Sequence, residues 1–340
     1  MSFRRKITRR QFIKGAAIAG GAMMMPGLGP FVRNGYAFGW SMPLQKFIQR
    51  MPLFGGDIPL AVKITPDPYA NVDYYKLTAG EFRQELHPDL YAMRGPLDPL
   101  GTRLYGYSDH NGNYKHLGGA VLATKGTPVR FSFNSALPPR HILPYDKSIP
   151  SGVNAGLLQD RAAIHLHGGL VPWTSDGGPF HWQSNPANGG LVTGESVIPW
   201  LWDGGLNLDL SPDPASMVWD YFYPNNQSAR LMWYHDHAIG QTRLNAYAGV
   251  ATGYIVQDNI DNIGGTGWLN STPYNIPFLG QPIVFQDKVF WDPASDPAYA
   301  THAPGALPGD LWYPWQYDPA IWPIAKGATP PTPSAVSSRA

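Results

Sequence analysis

The sequence predicts an all-β protein, and three observations point there. Glycine and proline number 38 and 35 among 340 residues, a density of turn formers that suits many short strands and not a helical bundle. Only 14% of residues are charged while 13% are aromatic, so the chain can build an apolar core and does not read as disordered. Between residues 57 and 257, short β-type runs alternate with Gly, Pro, Asn and Asp, the pattern of a sandwich or barrel.

Taken in order, the runs expected as strands are Ile58–Thr65, Tyr74–Leu86, Arg103–Tyr107, Ala120–Lys125, Pro128–Asn134, Ala162–His167, Met217–Tyr223, Arg230–His235 and Gly249–Gln257. Residues 38–56 read as an irregular N-terminal arm, and 57–257 as one complete sandwich. A long insertion, 172–215, is dense in Gly, Asn, Asp, Ser and Trp, as functional loops often are. Trp173, Trp182, Trp200 and Trp202 are expected to pack beneath it. Residues 258–275 read as a linker. Pro282–Phe290 is one further strand-like run with nothing after it to pair with. It is expected to open a second, incomplete domain over 276–325, followed by a low-complexity, disordered tail at 326–340.

The N-terminus reads as an export signal. Thr8-Arg9-Arg10-Gln11-Phe12-Ile13-Lys14 precedes a weakly apolar stretch, Gly15 to Met25, and Gly35-Tyr36-Ala37 offers a small-x-small cleavage site. This resembles a twin-arginine signal over residues 1–37 and implies a periplasmic or extracellular protein exported folded. Residues 1–37 hold seven basic and no acidic side chains, so the net charge of +1 conceals a body with 18 basic against 24 acidic residues. That is no footprint for nucleic acid, which needs clustered positive charge. No apolar run reaches the 18 or so residues of a membrane span. The cysteine count is zero, which excludes disulfides, thiolate metal ligands and a cysteine nucleophile.

Ten histidines are present. Random placement would give about 0.3 His-x-His pairs, yet there are two, His165-Leu166-His167 and His235-Asp236-His237. On a strand, residues i and i+2 share a face, so each pair offers two imidazoles to one side of a sheet. Neutral imidazole suits copper, zinc, iron or nickel, and a zinc site on the same four histidines is compatible with the ligand set. Asp176, in Ser175-Asp176-Gly177-Gly178, could orient a metal-bound water or relay protons; a plain Asp-Gly turn explains it equally. The six remaining histidines are expected to be structural or exposed.

Ala163-Ile164-His165-Leu166-His167-Gly168-Gly169, Ser175-Asp176-Gly177, Trp233-Tyr234-His235-Asp236-His237-Ala238 and Thr242-Arg243-Leu244-Asn245-Ala246-Tyr247-Ala248-Gly249 together resemble the multicopper oxidases. Within that family they resemble the spore-coat laccase, bilirubin oxidase and phenoxazinone synthase branch, over roughly 57–290. The resemblance implies a cupredoxin-like Greek-key sandwich, and Gln281 to Asp287 resembles the first strand of the family's second domain. It implies copper as cofactor, O2 and a reducing substrate as reactants, and His165 as a type 2 copper ligand. His167, His235 and His237 resemble type 3 copper ligands, and Asp176 the acidic residue beside the trinuclear cluster.

Family members draw four His-x-His motifs from two domains and use a cysteine-bound type 1 copper to take up electrons. This chain has two such motifs and no cysteine. The expectation is therefore the N-terminal part of a laccase-like oxidase, holding half of the trinuclear site and inactive alone. A complementary chain or self-association would have to complete it. The alternative is a periplasmic copper-binding protein without turnover.

Overall fold

The computed structural model describes residues 44–65, 71–92, 94, 101–145, 158–196, 219–260, 262, 265–277, 280 and 282–314. The leader 1–37, the start of the arm, Trp200, Trp202 and the tail 326–340 lie outside the described residues.

Alternation writes the first strand. In β1 (Asp73–Gln84), Tyr75, Leu77 and Ala79 are buried while Lys76 is exposed and Thr78 half-buried between them, the period of a strand with one face inward. β2 (Thr102–Ser108), β4 (Val129–Ala136) and β6 (Trp219–Tyr223) complete its sheet in the order β2-β1-β4-β6. The second sheet runs β3-β8-β7-β5, from β3 (Val121–Thr124), β8 (Ala251–Gln257), β7 (Arg230–His235) and β5 (His165–His167). Each sheet is mixed: β1 with β4 and β3 with β8 are parallel, and the other pairs antiparallel. The chain changes sheet at every connection from β2 to β7, which gives the cupredoxin-like Greek-key sandwich that the sequence predicts.

The two inner faces meet in an aromatic core. Phe131 stands edge-on to Tyr223 at 5.2 Å and to Tyr254 at 6.2 Å, and Tyr107 lies 4.9 Å from Tyr234. Such pairs each add about 0.5–1.5 kcal/mol beyond area burial. Two of the buried hydroxyls are hydrogen-bonded: Tyr254 donates to Asn225 Oδ1 at 2.8 Å, and Tyr221 accepts from Ile164 N at 3.2 Å. Burial pushes these phenols well above their ordinary pKa.

Several expected elements differ. Ile58–Thr65 is no strand; it makes isolated bridges only, Ile58 to Phe54 and Leu60 to Ala120. Pro59 removes a donor near the start of that run. Ala162–His167 narrows to its last three residues, Ala162 bridging to Gln183 instead. Thr242–Ala248 is a helix, α2 in chain order after α1 (Pro88–Ala92), and ends where Gly249 adopts φ 126°. A Cβ there would lie 2.1 Å from the Tyr105 carbonyl oxygen, so glycine stops the helix and lets it dock.

Pro282–Phe290 also forms no strand, and it is not left without a partner. Phe290 bridges Leu311, Trp291 N donates to Asp310 O and Trp312 N to Val289 O, each bond at 2.8 Å. Phe290 and Leu311 join the same core cluster as the sandwich residues. Buried Asp310 ties this segment down, accepting from Arg94 Nη2 at 2.6 Å, Arg83 Nη1 at 3.1 Å and Arg103 N at 2.8 Å. A third short helix, α3 (Tyr299–His302), packs with Trp291 and Trp312. Among the described residues no helix is long and apolar enough to cross a membrane.

Candidate metal centre

Register puts the histidines on one face. Across the β5–β7 ladder His165 stands opposite His235, Leu166 opposite Tyr234, and His167 opposite Trp233. Leu166 and Tyr234 are buried in the core. The alternation of the pleat therefore turns His165, His167, His235 and Trp233 to the outer face of the sheet. His237 follows just past the end of β7, its ring centroid 4.8 Å from that of His165 and 5.9 Å from that of His235.

All four paired histidines thus converge. One nitrogen from each of His165, His167 and His235 lies within 4.8 Å of the others. Nδ1 of His167 is 3.2 Å from Nε2 of His235, close to the roughly 3.3 Å that two imidazoles separate on one tetrahedral ion with bonds of about 2.0–2.1 Å.

The surrounding backbone sets the tautomers. His165 Nδ1–H donates to the Asp176 carbonyl at 2.6 Å, and His235 Nδ1–H to the Asp236 carbonyl at 2.7 Å. Each ring then presents a bare Nε2, the form that ligates a metal, while its second nitrogen is held by an outer acceptor. Burial lowers the pKa of His235 to about 4 and also lowers that of His237, which keeps both imidazoles neutral and competent as ligands at neutral pH.

Asp176 sits behind His165, on its Nδ1 side. Its carboxylate Oδ1 is 3.4 Å from that nitrogen and its side chain is half exposed. The approach depends on Gly177, at φ 66°, where a Cβ would fall 1.7 Å from the Ile164 carbonyl oxygen. The Asp-Gly pair is therefore both a turn and a contact to the histidine face.

Asp236, between the two histidines of its motif, points the other way. It is fully buried and accepts from Ala163 N at 2.9 Å, which fixes the approach to β5 against the exit from β7. Burial raises its pKa to about 7. Behind it, Asn245 on α2 donates to the Arg161 carbonyl at 2.9 Å and accepts from His141 Nε2 at 3.1 Å. His141 is thus structural, as expected for an unpaired histidine, and His116 likewise bonds Gln286 Oε1 at 2.8 Å.

The loop tryptophans divide. Trp182 is buried, with the Arg161 guanidinium 5.0 Å above its ring, but Trp173 is 63% exposed and does not pack beneath the loop. In the sequence Trp233 figures only as the first residue of the second histidine motif. It lies in fact beside the histidines, and its spacing two residues before His235 is the signal that could have found it.

No protein-family model matches the chain. Relatives do. A laccase of Bacillus subtilis is 31% identical over 239 residues, which are 70% of this chain and 38% of that protein. A laccase of Bacillus stratosphericus is 29% identical over 288 residues, 85% of this chain and 46% of its own. A multicopper oxidase structure from Campylobacter jejuni aligns with 65% of this chain and 33% of its own, at 17% identity and a TM-score of 0.38. The chain spans less than half the length of these relatives.

Proposed function

Given that the chain is a relative of the laccases and other multicopper oxidases, we propose that it carries one half of a copper centre for oxygen reduction. His165 is the type 2 ligand, and His167, His235 and His237 serve the type 3 pair. One observation carries this reading: the two His-x-His pairs converge, with ligand nitrogens of His165, His167 and His235 within 4.8 Å of one another and the His237 ring centroid 4.8 Å from that of His165. An all-imidazole donor set suits copper, and outer carbonyl acceptors for His165 and His235 are what ligating histidines need.

Copper held there, once completed by ligands from elsewhere, would pass electrons from a reducing substrate to O2 to give water. The chain's own residues orient and protonate. His165 and His235 are held by their Nδ1–H bonds, and Asp176, half exposed and beside His165, can take protons from solvent toward the centre. The absence of cysteine leaves no thiolate for a type 1 copper, so the chain alone has neither blue colour nor laccase turnover. Without a completing partner it acts as a copper-binding protein. The leader at 1–37 assigns export by the twin-arginine route to the periplasm or beyond.

Copper titration of the chain against a competing chelator tests this. The double variant His167→Ala/His237→Ala should lose binding while the β-sheet circular dichroism persists. Unchanged stoichiometry and affinity in the double variant would overturn the copper reading.

A further inference from the structure

Trp233 is 42% exposed, so core packing does not explain it. It stands opposite His167 across the β5–β7 ladder, two residues before His235 on the same face. Its ring is stacked on His167, with centroids 5.1 Å apart and planes at 24°. The same ring lies 4.2 Å from His235, with planes at 31°. One indole thus contacts two neighbouring imidazoles at once.

The other anchors on this face are unequal. His165 and His235 each spend Nδ1–H on a backbone carbonyl. Among the described residues the His167 ring makes its one hydrogen bond to His235 itself. A metal that took up Nδ1 of His167 and Nε2 of His235 would replace that bond. His167 would then have no hydrogen-bonded outer partner, and its ring plane would be held by stacking alone.

We propose that Trp233 is a positioning residue of the copper-binding face: its indole sets the ring planes of His167 and His235 so that their two nitrogens converge. It does for His167 what backbone carbonyls do for the other two rings. The proposal rests on the copper reading above and adds to it a residue that touches no metal. Stacked aromatic pairs favour such offset arrangements, and outer partners of metal ligands typically change affinity about 10–100-fold when removed.

The test uses the full chain with three variants. Trp233→Phe keeps an aromatic face, Trp233→Leu keeps apolar bulk only, and His167→Ala removes a ligand. Copper(II) affinity is measured by chelator competition, ligand geometry by electron paramagnetic resonance, and the metal-free ring protons by NMR. Trp233→Leu should weaken copper about tenfold and alter the copper hyperfine pattern, whereas Trp233→Phe should restore both. In the metal-free chain the His167 and His235 ring protons should be shifted upfield by the indole and lose that shift in Trp233→Leu. This readout needs no metal, and the native chain alone provides the first part of it.

Unshifted ring protons in the native chain, or native affinity and spectrum in Trp233→Leu, would overturn the role of Trp233 and leave the copper reading standing. Native affinity in His167→Ala would overturn the copper reading, and the positioning role with it.

Discussion

Nδ1 of His167 lies 3.2 Å from Nε2 of His235, although the two residues are 68 positions apart in the chain. The Nδ1–H of His235 is already committed to the Asp236 carbonyl. A neutral His235 can therefore only accept at Nε2, and the proton between the rings belongs to His167. The metal-free face stores its second ligand pair as an imidazole–imidazole hydrogen bond.

That bond makes a tautomer prediction. Without metal, both His167 and His235 should be Nδ1–H tautomers at neutral pH. On copper or zinc binding, His167 must move its proton to Nε2 to offer Nδ1, while His235 keeps its tautomer. Long-range proton–nitrogen correlation spectra with diamagnetic zinc can read this. A His167 that is already Nε2–H in the metal-free chain would contradict the assignment.

Asp310 should matter to stability far more than its place late in the chain suggests. It is buried and accepts from the guanidinium groups of Arg94 and Arg83 and from Arg103 N. Removing one partner of a buried ion pair strands the other and costs about 3–5 kcal/mol. Asp310→Ala should lower the urea midpoint accordingly and open 289–312 to hydrogen exchange. A change below about 0.5 kcal/mol, the range of ordinary surface substitutions, would show that the tie is not structural.

Acid should destabilise the sandwich before it protonates most carboxylates. Burial lowers His141 to about 3 and His116, His181 and His235 to about 4, whereas unfolded histidine titrates near about 6.5. Between those values the unfolded chain binds more protons, so stability is full above about 6.5 and falls as pH drops. Asp236, raised to about 7 by burial, acts oppositely: its contribution is lost as pH rises toward 7. Four histidines against one carboxylate leave a net of about three protons, a slope of about 3–4 kcal/mol per pH unit near pH 5. Urea midpoints measured from pH 7 to 4.5 should fall throughout, and His141→Gln should make the slope shallower. A flat profile would mean that these histidines are not held neutral.

Composition and local pattern determined the class of fold and marked the two histidine pairs as the candidate site. Turn formers at high density and alternating apolar residues specify strands without any knowledge of their partners, because the period of a strand is a property of its own backbone. For that reason β1, β2, β4 and β7 lie within two residues of where the sequence puts them. The His165/His167 pair was legible for the same reason, since i and i+2 on one strand share a face; β7 ends at His235, and the fold beyond it brings the His237 ring to His165.

Tertiary structure decided everything that depends on what lies opposite. The meeting of the two pairs follows from the β5–β7 register, His165 against His235, and a shift of one residue would have turned β7's histidine into the core. The role of Trp233 follows from the same register. Pro282–Phe290 looked like a strand because its residues suit one, but a strand exists only with a ladder partner, and here Phe290 alone finds one in Leu311. From the sequence Asp176 reads as a turn residue or a functional acid; the contact of its backbone carbonyl with His165 Nδ1 at 2.6 Å comes from the fold. Hydrogen-bond partners and burial are properties of pairs distant in sequence, and no local pattern encodes which pairs the packing will select.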